Sequence, residues 1–334
     1  MTVSEGRGSG SFGRLARERQ AWFREQSSLP RYSGGRRHRH LLASGYEDEN
    51  LYPTLRGENG ARRFFEIRGI KWWQDTRNGD DSNGGRPTRN MASSQIACVN
   101  FLLPLTEVPD ALTAMLRAMD DDVTGFVPIE DRHTRSPVEL EWIGLAHALE
   151  GPAVKTRGAN STSIDAFMIA TTPGGRRAYL MEWKYVEEYS RKDLREGSSG
   201  ETRRRRYERL YAESASFSGR APFEAWLFEP FYQIMRLRLL ADRMVRDREI
   251  GVSEAKVVVV VPDGNRAYRE RITSPWFATA FPNRAVSDIV HETLVEPGNT
   301  YASVSQSTLA DAVREHCADA VSSWSAYHRD RYGW

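Results

Sequence analysis

Two apolar, β-prone runs, Ser163–Thr171 and Arg176–Tyr185, flank a Pro173-Gly174-Gly175 turn, a pattern that predicts a β-hairpin. Ile164, Ala166, Phe167, Met168, Ile169, Leu180, Met181 and Trp183 put apolar side chains on both faces. Such a hairpin is expected to be covered from both sides. Helical periodicity predicts Arg14–Gln26, Met91–Leu105 (behind Asn90 as N-cap), Pro109–Met119 and Val138–Glu150. The stripe of the last is Val138, Trp142, Leu145, Ala146 and Leu149, and Glu139 and Glu141 lie on its opposite shoulders. A short strand is expected at about 153–157. A long amphipathic helix runs from Pro230 toward residue 246, and the apolar run Lys256–Val261 reads as a buried strand.

Around these elements the chain divides into an arm with a short helix (1–60), a helical elaboration (61–135), a core (136–262) with a charged insert (187–220), and a C-terminal elaboration (263–334). The last shows no site in its sequence. Arg62–Trp73 is aromatic and basic, an edge of strand or helix. Asp80 and Asp81 stand in a Gly/Asn-rich loop and read as turn residues. Asp120-Asp121-Asp122 reads as a solvated turn.

Composition narrows the class. The 334 residues are 40% hydrophobic and carry a net charge of +2, so a basic nucleic-acid surface would have to be local. No apolar run is long enough to span a membrane, and the first twenty residues lack the apolar stretch of a signal peptide. Cys98 and Cys317 lack disulfide or zinc spacing. A soluble cytoplasmic protein is expected. The basic places are the knot Arg36-Arg37-His38-Arg39-His40 and the run Arg203, Arg204, Arg205 and Arg206. Either could contact a phosphate backbone, although solvated charged helices are common. Arg236 shares an arc of the long helix with Gln233 and Arg243, facing the hairpin or solvent. Ser93 and Ser94 open the helix after Asn90, where free N–H groups could meet a phosphate or simply be capped.

The hairpin holds the chemistry. With Pro173 and Gly174 at the tip, Asp165 falls directly opposite Glu182, their Cβ atoms about 4.5–5.5 Å apart. Two carboxylates so placed repel unless a cation or a proton intervenes. Lys184 follows two residues along the same face. Only 5 of the 47 basic residues are lysines, so a compact amine at that point reads as selected. A solvated hairpin face is the competing reading, and the apolar neighbours oppose it.

The order helix, strand, strand, strand, insert, helix, strand, with Asp165 and Glu182-Trp183-Lys184 on adjacent strands, resembles the PD-(D/E)xK nuclease superfamily over residues 136–262. That resemblance implies an α/β restriction-endonuclease-like fold: an αβββαβ core whose mixed sheet is flanked by helices, with an N-terminal helical elaboration. It implies catalytic roles for Asp165, Glu182, Lys184, Glu141 and Gln233. It implies Mg²⁺ (Mn²⁺ substituting) held by Asp165, Glu182 and the Trp183 carbonyl, with Glu141 or Glu139 as the upstream helical acid. Ile164 stands where the superfamily loosely keeps a proline. WWQDTRNGD (72–80), RNMASSQIACVNFLLPL (89–105) and ELEWIG (139–144) are similar to a bacterial family of restriction endonucleases. The function implied is metal-dependent DNA hydrolysis in restriction or phage defence. A catalytically inactive nucleic-acid-binding module and an RNA substrate are the alternatives. DNA is the implied partner, with a homodimer left open.

Overall fold

A computed structural model describes residues 11–33, 38–74, 85–131, 134–144, 149–150 and 161–334. The expectations for residues 1–10, Arg36 and Arg37, Asp80 and Asp81 and the strand at 153–157 lie outside the described residues. The strands are β1 (Gly125–Val127), β2 (Ile129–Asp131), β3 (Thr134–Ser136), β4 (Glu139–Trp142), β5 (Ile164–Thr172), β6 (Gly175–Trp183), β7 (Glu254–Val260) and β8 (Tyr301–Val304). The helices that matter below are α1 (Phe12–Gln26), α2 (Ala61–Arg68), α3 (Ser94–Leu102), α4 (Pro109–Arg117), α5 (Gly197–Glu213), α6 (Phe231–Arg246), α7 (Val286–Thr293), α8 (Gln306–Cys317) and α9 (Ser322–Arg331). Among the described residues no helix is long and apolar enough to cross a membrane.

The fold is mixed α/β, with a mixed sheet flanked by helices, as a restriction-endonuclease-like fold requires. The hairpin β5–β6 is its centre, in the register the sequence predicts: Ala166 faces Met181 and Thr172 faces Gly175. Gly175, at φ +124°, closes the tip where a side chain would strike Ser253. β7 runs parallel to β6, and β8 parallel to β7. The outer edge of β5 is shared. β1 pairs with Ile169–Thr171 and β4 continues antiparallel along Ile164–Phe167, the β2–β3 hairpin being looped out between them.

Alternation sorts the core. Ala166, Met168, Tyr179, Met181, Trp183, Val258 and Val260 pack with α3, α4, α8 and α9. Phe167, Ile169, Ala178, Leu180, Val257 and Val259 pack with α6 and α7 on the other side. A sheet covered on both faces reads as nearly continuous apolar sequence, which is what β5 and β7 show.

Three expectations need correction. Glu139–Trp142 is a strand, not the start of a helix, because the open edge of β5 offers backbone partners that outweigh a weak helical period. Ser93 rather than Asn90 caps α3, accepting from the Ile96 N–H at 3.4 Å, while Asn90 turns its side chain to the Ala92 N–H. The Asp120–Asp122 turn is not merely solvated: Asp121 is exposed, but Asp120 and Asp122 are engaged by cations. Asp120 accepts from Lys256 and from the Tyr179 hydroxyl (2.8 Å), and Asp122 holds Arg177 at 2.7 and 2.9 Å.

The two ends of the chain are stitched together. Arg331 in α9 donates to Gln20 of α1 (3.0 Å) and to the Asn50 carbonyl (2.6 Å). Buried His328 meets the Asn100 carbonyl through Nε2 (3.1 Å) and accepts from the Trp334 indole at Nδ1 (3.1 Å). Both bonds fit only the neutral ring protonated at Nε2. Burial above all pushes its pKa down to about 3. A depressed value means the unfolded chain takes up this proton first, so the stabilisation is complete above about pH 6.5 and is lost as pH falls toward 3. Urea unfolding of His328→Gln should show a pH dependence in that window flatter than the parent's by up to about 1.4 kcal/mol per pH unit. Equal slopes would remove His328 from the account.

Candidate active site

The register that centres the fold also builds the site. The β5–β6 pairs end at Ala166–Met181, and just beyond them the Trp183 N–H reaches the Asp165 carboxylate, next to Glu182. On the other side of β5 the pairs Leu140–Ala166 and Trp142–Ile164 bracket Glu141 opposite Asp165. Glu141, Asp165 and Glu182 thus come from neighbouring points of β4, β5 and β6 into one row at the sheet's end, lining the same recess, with Val259 of β7 beside Glu182. Glu141 sits at φ +48°, an uncommon conformation for a side-chain-bearing residue and one that gathers at functional sites.

Each carboxylate has a definite partner. Asp165 Oδ2 accepts from the Trp183 N–H (2.8 Å). Glu182 accepts from Lys184 Nζ. Glu141 accepts from Trp73 Nε1 (2.8 Å), Gln95 Nε2 (3.2 Å) and Ser163 Oγ (2.7 Å). The Lys184 backbone is pinned as well, its N–H on the Val260 carbonyl (2.8 Å) and its carbonyl accepting from Gln306 Nε2 of α8 (2.6 Å). Glu141, Glu182 and Lys184 are all but buried.

Burial dominates the electrostatics. It drives the Asp165 carboxyl well above its ordinary range, with the Glu182 charge adding to the effect, and it raises Glu141 likewise. Burial alone would lower the Lys184 ammonium, but Glu182, Tyr189 and Asp165 outweigh it and hold the amine protonated. One ammonium faces three carboxylates, and the raised values of Asp165 and Glu141 mean that all three can be ionised together only when a further cation or proton is supplied.

A recess of about 270 Å³ opens at this row, and Ser93, Ser94, Gln95, Trp73, Lys184 and Gln233 line it beside the three acids. The structure thus gathers Asp165, Glu182, Lys184, Glu141, Gln233, Ser93 and Ser94 from five separated stretches. Gln233 also accepts from the Tyr189 hydroxyl (3.1 Å). Glu139 is elsewhere, buried in a two-pronged ion pair with Arg68 of α2 (2.8 Å). Of the two acids left open by the sequence, Glu141 is the one at the recess.

The arginines divide. Arg236 lines a small recess next to the acids, but it donates to Thr162 Oγ1 (3.0 Å) and reaches Glu150 (3.5 Å). Arg203 donates to the Leu194 carbonyl (2.9 Å), and Arg204 pairs with Glu208 and Glu224. Arg205 and Arg206 are exposed. Sequence reasoning missed Trp73 and Gln306, brought in from distant segments, and Ser163 and Tyr189, which stand close to Asp165 and Lys184 in the chain. It missed Glu229 too, whose carboxyl burial pushes up to about 7. Nothing in their local spacing marks them.

The family described as Restriction Endonuclease associating with ARP matches residues 22–333. The chain belongs to this family. No curated protein and no solved structure matches it.

In this restriction-endonuclease family member the donor set at the row is all oxygen, which fits a hard divalent cation. Convergence is incomplete: among the described residues no group of three His, Cys, Asp or Glu side chains closes to metal-holding geometry. Glu182 is turned to Lys184, and Glu141 to its three donors. Asp165 and Glu182 are the pair that would hold an ion.

The two glutamates of β4 should behave oppositely in urea unfolding with EDTA present. Glu139→Ala strands Arg68 in the core and should cost about 3–5 kcal/mol. Glu141→Gln keeps an oxygen for its donors while removing a disfavoured charge, so it should be neutral or stabilising at neutral pH. A large loss in Glu141→Gln would mean that its charge is satisfied without metal.

Proposed function

We propose that this chain is a metal-dependent endonuclease of the PD-(D/E)xK type, hydrolysing DNA phosphodiester bonds in restriction or phage defence. The observation that carries the reading is the convergence of Glu141, Asp165 and Glu182 on one recess with Lys184, two residues beyond Glu182. Mg²⁺ is the expected ion, with Mn²⁺ substituting. Asp165 and Glu182 would hold it, and Glu141 would be the third acid. Such an ion supplies Lewis acidity toward phosphate and lowers the pKa of a bound water.

The side chains do the rest. Asp165 is fixed by the Trp183 N–H through one oxygen, which keeps the other directed for a ligand. Lys184 presents an ammonium beside Glu182, where it stabilises negative charge building on the phosphate. The Gln233 amide lines the recess and orients water or phosphate. Ser93 and Ser94 bring the start of α3 to the same recess, a favourable end for an anion. The family's description names an association with ARP, and the same association is proposed here.

A non-catalytic DNA-binding module is the second reading, favoured by the incomplete convergence of the acids. Supercoiled plasmid with Mg²⁺ or Mn²⁺, and then with EDTA, separates the two. Nicking that EDTA abolishes supports the nuclease, and metal-independent binding without nicking supports the module. Lys184→Ala should cost about 10²–10⁴ in rate while metal binding by calorimetry persists. Lys184→Arg should be nearly as damaging, its planar guanidinium being bulkier. Asp165→Ala should lose metal binding too. Parental nicking by Lys184→Ala would sink the assignment.

Arg204, Arg205 and Arg206 are all exposed, but Arg204 is already held by Glu208 and Glu224. Replacing Arg205 and Arg206 with Ser should reduce the slope of log K against log salt by roughly 2. Replacing Arg204 should change it little. An unchanged slope in the double variant would assign the helix to solvent.

A further inference from the structure

Trp73 stands at the mouth of the acid recess with half its surface, 53%, open to solvent. An exposed tryptophan is ordinarily a loose one, but this one is tethered. Its indole N–H donates to Glu141 (2.8 Å) and its backbone N–H to Gln95 Oε1 (2.8 Å). Its neighbour Trp72 is buried and stacked on Phe65 with centroids 3.7 Å apart, which anchors the segment in the core. The ring is thus held without being covered, the arrangement that gives stacking affinity at little conformational cost.

Its position is equally specific. Trp73 lines three recesses in common: the acid recess of about 270 Å³, a smaller one of about 160 Å³ toward Arg236, and one of about 630 Å³ along Arg17, Thr88 and Asn90. The acid recess falls just below the size range of small-ligand sites, and Glu141 and Glu182 on its floor are only 4% and 5% exposed. A floor so covered favours a strand that can bend into it over the stiff outside of an intact duplex. A single strand can thread it, with its bases turned out to either side.

We propose that Trp73 is the stacking platform for an unpaired base beside the scissile phosphate, and that the strand engaged is single-stranded or locally unpaired DNA. This rests on the nuclease reading and adds the form of its substrate. A base has a π-face whatever its identity, so the platform contributes affinity without sequence choice. The tether to Glu141 makes the occupied ring and the acid row one unit.

Fluorescence anisotropy in EDTA, where turnover is stopped, tests it with a labelled single-stranded oligonucleotide and the same sequence as a blunt duplex. The parent should bind the single strand more tightly. Trp73→Ala should weaken that binding on the order of ten- to a hundredfold and leave duplex affinity unchanged. Trp73→Phe keeps a ring but loses the N–H to Glu141, and it should retain most of the affinity. A merely structural role would make the two variants equally weak, and that result overturns the proposal. So does a parent that prefers duplex, or Trp73→Ala binding at the parental level. Circular dichroism confirms that each variant is folded. Plasmid nicking run alongside keeps the two readings apart: nicking without the stacking pattern sinks only the platform, and the stacking pattern without nicking sinks only the nuclease.

Discussion

Three carboxylates brought together from neighbouring strands are the constraint on which the site depends. The β4–β5–β6 strands bring Glu141, Asp165 and Glu182 to one recess at their ends, and burial of the site then makes their charges costly. The partners around the row answer that cost: the Lys184 ammonium, the Trp183 N–H, and the Trp73, Gln95 and Ser163 donors. Removing the acids would relax the sheet's electrostatics without loosening its packing, since both apolar clusters close around other residues. The row is therefore an expense the fold itself does not need.

The far end of the same strands shows what a structural charge cluster looks like by contrast. Arg177 and Lys256 face Asp120, Asp122 and Glu254, again with more carboxylates than cations. There the surplus is harmless, because Asp122 and Glu254 are over a third exposed and water screens them. At the recess the surplus is enclosed. Both clusters contain a buried lysine, so neither a lysine nor a pair of acids distinguishes them. Solvent access does.

How much of this was legible follows from the range of the interactions. The hairpin could be read because its two strands, its Pro173-Gly174 tip and its apolar alternation are local, and local pairing fixes register. From register alone Asp165 next to Glu182 follows. Glu139–Trp142 was not legible, since four residues contain barely one helical turn and the decisive partner, the edge of β5, lies more than twenty residues away. The same holds for Asp120, whose tripeptide looks like a turn until Lys256 and Tyr179 arrive on strands far along the chain. Arg203 to Arg206 read as a uniform basic run, yet only α5's placement against Leu194 and Glu224 tells the bound arginines from the others.

The C-terminal segment gives the last step. By sequence it held no site, and it contributes no side chain to the recess. It does fix the strand end that carries Lys184. Gln306 of α8 holds the Lys184 carbonyl, and Asn265 holds the carbonyls of Tyr185 and Glu187. Gln20 of α1 meets the Tyr185 hydroxyl while also engaging Arg331 of α9. Beyond Trp183 the chain leaves the regular ladder, and an untethered end would let the ammonium drift from the acids. The charge stabilisation proposed for Lys184 needs its ammonium held to within a fraction of an ångström. The clamp of α1, α8 and α9 on residues 184–187 supplies that hold, so the two ends of the chain are part of the site's geometry although none of their acids or bases enters it.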